Sequence, residues 1–81
     1  MKQNEENYKN CFSEAFEIEI EKISSDLEYN AIPEWDSIGH MTLISALEEK
    51  FDISFETDDI IDFSSYKKGI EILQKYSINF S

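Results

Sequence analysis

The chain is short of the residues that stitch or bend a fold: one cysteine, one proline and two glycines among 81 positions. A single cysteine, Cys11, excludes an internal disulfide, and together with a single histidine, His40, it excludes a structural zinc site built from one chain. So little glycine and proline leaves little material for a turn-rich β fold. No apolar run exceeds two residues, which excludes a transmembrane helix. The opening Met-Lys-Gln-Asn-Glu-Glu-Asn has no apolar stretch of the kind a secretory signal needs, so a cytoplasmic location is the default expectation. Basic residues are scarce too: 7 against 18 acids, a net charge of −11. Such a chain repels nucleic acid and anionic membranes and suits partners with basic patches. The plainer use of the acidity is solubility.

What is present fits one small globular domain over 1–81, acting as a monomer: 41% hydrophobic and 31% charged residues. A chain this short holds one core and no deep pocket. Tyr8, Cys11, Phe12, Ala15 and Phe16 follow helical spacing and predict a first helix from about Glu5 to Glu17. Residues 18–36 form a long connection, anchored by Ile23, Leu27, Ile32 and Trp35. Trp35 either lies over the core or stands half-exposed beside Ser37. From Ser37 to Phe51 a second helix carries Leu43, Leu47 and Phe51 on its inner stripe. Phe51 to Phe55 alternates, but a lone strand has no partner, so an extended connector is expected. Thr57 looks like the N-cap of a short helix with Asp58 and Asp59 at its positive end. Ser64 or Ser65 caps a last helix to about Tyr76, with Tyr66, Ile70 and Leu73 inward and Ile72 flanking. The expected core is Phe12, Phe16, Leu43, Leu47, Phe51, Ile70 and Leu73.

The chemistry concentrates at Glu34-Trp35-Asp36-Ser37-Ile38-Gly39-His40-Met41. Ser37 puts a hydroxyl at a helix start, with Asp36 before it and Ile38 after it. Taken alone, Asp36-Ser37 is an N-cap. Ser37-Ile38-Gly39 shares half of a nucleophile elbow, but Trp35 stands where the first glycine belongs, and no third triad member is evident. Glu56, Asp58, Asp59 and Asp62 are an acidic cluster without the Asp-x-Asp-x-Asp-Gly order of a calcium loop. Cys11, among apolar neighbours, reads as a buried thiol, and His40 as an exposed or half-exposed polar residue of the first turn.

The octet and the helix after it resemble the attachment region of acyl carrier proteins, in which Asp-Ser-Leu/Ile opens the second helix. Ala46-Leu47-Glu48-Glu49-Lys50-Phe51 resembles that family's Ala-Leu-Glu-Glu-x-Phe segment, and the likeness runs to about Leu73. It implies an all-α fold: a small four-helix bundle with three longer helices, a short third helix and a long first loop. It implies no enzyme activity. Ser37 would carry 4′-phosphopantetheine donated from coenzyme A, and the arm's thiol would hold an acyl or aminoacyl group as a thioester. The implied partners are a phosphopantetheinyl transferase and loading and acceptor enzymes with basic docking patches.

The chain departs from the usual fatty-acid carrier. Ser37 to Leu47 bears no formal charge, Gly39 and Thr42 stand where acids are common, and Trp35 replaces Gly or Ala. The expected docking surface is therefore Asp36, Ile38 and Met41 near the serine, with Glu48, Glu49, Asp58 and Asp59 further out. That favours a carrier for a specialised biosynthetic pathway over housekeeping fatty-acid synthesis. The competing reading is a small acidic helical interaction module with no prosthetic group.

Overall fold

The apolar stripes fold as helices. In a computed structural model, which describes residues 3–80, α1 (Gln3–Phe16), α2 (Ser37–Phe51), α3 (Thr57–Asp62) and α4 (Tyr66–Lys75) follow in order. The long first loop contains one 3₁₀ turn, Ile20–Lys22. No strand forms among the described residues; Glu28 and Ser65 make an isolated antiparallel bridge. Three longer helices, a short third one and a long first loop are the expected architecture. Residues 1, 2 and 81 of the expected domain lie outside the described residues.

Burial of the four apolar stripes against one another makes the core. Tyr8, Cys11, Phe12 and Phe16 of α1 meet Leu43, Ile44 and Leu47 of α2 and Tyr66, Ile72 and Leu73 of α4. Trp35 settles between them, fully buried, with its ring centroid 5.4 Å from those of both Phe12 and Phe16. The open question of its exposure is thus answered. Such aromatic pairs add about 0.5–1.5 kcal/mol beyond area burial. Cys11 is buried as expected, its Sγ 3.7 Å from the Ala46 carbonyl, and burial pushes the thiol up to about 11. Tyr8 buries its phenol and donates to the Tyr66 carbonyl at 2.7 Å.

Two expected core residues, Phe51 and Ile70, are only half-buried, whereas Ile72 is buried. The inner face of α4 runs through Tyr66, Gly69, Ile72 and Leu73. Gly69 has no side chain, so the stripe it belongs to is hidden in a hydropathy pattern. A Cβ there would lie 2.1 Å from the Tyr8 hydroxyl and 2.3 Å from the Phe63 ring. Phe63, between α3 and α4, is a core residue with no periodic neighbour to announce it.

Helix caps differ in one place. Ser65 caps α4, accepting from the Lys68 N–H at 3.0 Å. Thr57 is not the cap of α3; it is the first helical residue, and Glu56 precedes it without a side-chain cap bond. The Glu56 backbone is held instead by the Tyr76 hydroxyl, which accepts its N–H at 3.0 Å.

All three long helices close in the same way. Ile18 N–H bonds the Ser13 carbonyl, Ile53 N–H that of Glu48, and Ile78 N–H that of Leu73, at 3.1–3.2 Å. The preceding residues, Glu17, Asp52 and Ser77, take positive φ of 55°, 56° and 70°. These are six-to-one closures with a left-handed residue, a position that favours glycine. The isoleucine that follows packs back on the core each time.

Candidate functional site

The first loop is knitted down where it enters α2. Asn30 N–H bonds the Trp35 carbonyl at 3.0 Å, and Trp35 N–H bonds that of Ile32 at 3.1 Å. Pro33 has no N–H to give, and the buried indole fixes the chain two residues later. Asp36 is then extended, φ −107° and ψ −166°, and its Oδ1 accepts the Gly39 N–H at 2.8 Å. Asp36 alone is therefore the N-cap. The plain reading of Ser37 as a cap is overturned, because the carboxylate has taken that bond.

Ser37 is exposed, and its Oγ lies 3.3 Å from the Tyr29 hydroxyl, within hydrogen-bond distance. Beside it opens a groove of about 350 Å³ between α2 and α3. Tyr29, Ser37, His40, Met41, Ile60 and Ile61 line most of it. Two of its lining aliphatic side chains face solvent, Ile61 at 71% exposure and Met41 at 50%; Ile38, at 79%, is exposed on the neighbouring face of α2, beside Asp36, Gly39 and Thr42. Ile61 and Tyr29 were not expected in the site.

His40 is half-buried and committed on both ring nitrogens. The Trp35 indole N–H donates to Nδ1 at 3.0 Å, so Nε2 carries the proton and donates to the Ile60 carbonyl at 2.9 Å. The ring thus ties α3 to the loop. With Nδ1 occupied it is not free to take a proton from Ser37, which removes the base a hydrolase reading needs.

The acids divide into two groups. Glu49 and Asp58 are exposed, as is Asp36 despite its cap. Glu48 turns inward and accepts the Phe55 N–H at 2.9 Å. Asp59 is buried, 6% exposed, and holds Lys75 Nζ and the Tyr76 hydroxyl at 2.6 Å each. Those two hydrogen bonds keep its carboxyl below the ordinary aspartate range. Glu48 and Asp59 were expected to face partners; both instead fasten the fold, Glu48 the connector after α2 and Asp59 α3 against the end of α4.

The chain is 33% identical over 78 residues to the acyl carrier protein of Buchnera aphidicola subsp. Acyrthosiphon pisum, strain Tuc7, covering 96% of this chain and 98% of that protein. The acyl carrier protein of strain APS gives the same figures, and that of strain 5A is 32% identical over the same span. The chain belongs to the acyl carrier protein family. No protein-family model matches it. As an acyl carrier protein it holds cargo for enzymes and is not itself one. Among the described residues no helix is long and apolar enough to cross a membrane. The carrier family uses phosphopantetheine, and the site fits such a group. An exposed hydroxyl released from capping adjoins a groove with an apolar floor, and the first-turn N–H groups of α2 favour a phosphate nearby.

Proposed function

We propose that Ser37 bears 4′-phosphopantetheine, donated from coenzyme A by a phosphopantetheinyl transferase in the cytoplasm: Oγ bonds to the phosphorus that carries pantetheine, the pyrophosphate bond breaks, adenosine 3′,5′-bisphosphate leaves and the hydroxyl proton is released. When bound, the group supplies a thiol on which an acyl or aminoacyl cargo rides as a thioester. The observation that carries this is the division of labour at the start of α2. Asp36 caps the helix, and Ser37, one residue on, keeps its hydroxyl exposed and out of the cap, beside the Tyr29 hydroxyl. The competing module without a prosthetic group takes Ser37 as no more than a cap; that the Asp36 carboxylate makes the cap bond supports the carrier reading.

The residues around Ser37 have separable roles. Trp35 and His40 fix the loop and α3 on either side of it, so the attachment point stays rigid while the arm moves. Ile38, Met41 and Ile61 offer apolar contact to enzymes that handle the arm. Glu49 and Asp58, with the overall charge of −11, steer basic docking patches toward that contact. An uncharged, aliphatic rim supports a dedicated carrier of a specialised biosynthetic pathway.

Co-expression with a phosphopantetheinyl transferase tests the assignment. The intact mass should rise by one phosphopantetheine in the wild type and not in Ser37→Ala. That variant should melt with the wild type, because no cap is lost. A modified Ser37→Ala protein would overturn the assignment. For docking, loading rates at two ionic strengths separate the contacts. Met41→Glu should slow loading at both, while Glu49→Lys with Asp58→Lys should slow it mainly at low salt.

A further inference from the structure

Tyr29 is a side chain the modification itself does not require. It lies on the first loop, eight residues before Ser37, and its backbone is pinned across the molecule: its N–H bonds the Ser64 carbonyl at 2.9 Å. The neighbouring bond, Tyr66 N–H to the Leu27 carbonyl at 2.9 Å, completes the bridge to the start of α4. The ring stands edge-on to two others, with centroids 6.2 Å from Trp35 and 5.6 Å from His40. So a 36% exposed tyrosine has little freedom to swing away. Its hydroxyl points at Ser37 Oγ, and its ring is a wall of the groove that leads from that atom to Met41, Ile60 and Ile61.

Esterification changes what this hydroxyl meets. Ser37 Oγ loses its proton and can no longer donate. The new phosphodiester places anionic oxygens about that same atom, and an O–H bond to an anion is stronger than one to a neutral hydroxyl. Next along the arm, after one methylene, comes its gem-dimethyl carbon, the most apolar part of pantetheine. The matching surface on this chain is the aliphatic floor of the groove.

Given phosphopantetheine on Ser37, we infer that Tyr29 orients the arm. Its phenol donates to the phosphodiester and turns the gem-dimethyl segment onto Met41, Ile60 and Ile61. The arm then leaves Ser37 along the α2–α3 groove and presents its thiol to partner enzymes from a preferred direction, which lowers the orientational search at each transfer.

The test uses the phosphopantetheinylated protein, wild type and Tyr29→Phe, with intact mass establishing first that each carries one arm. That mass decides the Ser37 reading by itself. In ³¹P spectra, the folded wild-type phosphodiester should stand apart from the same protein in urea. Tyr29→Phe, which keeps the ring, should move it toward the urea position. Nuclear Overhauser contacts from the gem-dimethyl protons to the Met41, Ile60 and Ile61 methyls should appear in the wild type and weaken in Tyr29→Phe. The wild-type contacts decide even if the variant folds poorly. One arm by mass, with no such contacts in the wild type or with identical ³¹P positions in the two folded proteins, overturns the role of Tyr29 and leaves Ser37 as the attachment site.

Discussion

Replacing Gly39 by alanine opposes two effects of known size. Gly39 is the third residue of α2, and in a helix interior alanine is favoured over glycine by about 1 kcal/mol. Against this, a Cβ built on Gly39 lies 2.0 Å from the Glu34 carbonyl oxygen and 3.2 Å from its carbon. Ordinary contact needs more than 3 Å, so the loop or the helix must move by about 1 Å. The obstacle is backbone, not a pliable side-chain end, and the adjoining Trp35 is locked in the core. Overpacking of this kind costs roughly 1–3 kcal/mol. Displacing residues 34–36 also strains the Asp36 cap, worth about 0.5–2 kcal/mol. The clash wins, with a net loss of about 1–3 kcal/mol, which for a domain of this size lowers the melting temperature by roughly 4–24 °C. Thermal unfolding followed by far-ultraviolet circular dichroism measures it. A Gly39→Ala protein that melts at or above the wild-type temperature would refute the reasoning, because helix propensity alone would then account for the result. The glycine in the neutral stretch after Ser37 thus has a packing cause besides any role in partner choice.

Three further outcomes follow from the same physics. Glu17→Gly, Asp52→Gly and Ser77→Gly should each raise the urea midpoint, by about 0.5–1 kcal/mol of stability, by relieving a left-handed residue at a helix end; three unchanged midpoints would show that no strain is stored there. Asp59 is held below the ordinary aspartate value of 3.8 by Lys75 and Tyr76. Its contribution is therefore complete above that pH and is lost as pH falls from there to the folded-state value. Asp59→Asn should flatten the acid limb of melting temperature against pH, and parallel limbs would count against the cluster. Leu47, fully buried between α1 and α2, should cost roughly 2–5 kcal/mol on change to alanine. An unchanged melting temperature there would contradict the packing.

The parts of the fold that were legible are those written in local spacing. Tyr8, Cys11, Phe12 and Phe16 recur at helical intervals, and all four are buried in α1. Of the expected loop anchors Ile23 and Leu27 are buried and Ile32 half-buried, whereas the burial of Trp35 was not legible, because apolar residues of the same connection, Ile20 and Tyr29, stay exposed. The α4 stripe was misread because Gly69 contributes contact by having no side chain. The helix ends were written three times as an aromatic, a polar residue and an isoleucine: Phe16-Glu17-Ile18, Phe51-Asp52-Ile53 and Tyr76-Ser77-Ile78. Glycine, the usual mark of such an end, is absent from all three. At the site, Asp36-Ser37-Ile38 was readable as a short motif. Tyr29, Ile60 and Ile61 reach it only through tertiary contact, which local spacing does not encode. Glu48 and Asp59 looked like Glu49 and Asp58 in a charge map; hydrogen bonds to Phe55, Lys75 and Tyr76 are what set them apart.

The buried sulfur of Cys11 bears on how the cargo of such a carrier can be counted. A thioester migrates to another thiol only through that thiol's ionised form. Burial pushes the Cys11 thiol up to about 11 and leaves the side chain 1% exposed against α2, so at neutral pH it stays protonated and poorly accessible. Cargo on an arm at Ser37 therefore has no second berth within the same chain. A maleimide dye applied to the folded, arm-bearing protein would label bare arms one for one, and the arms left dark would be those occupied.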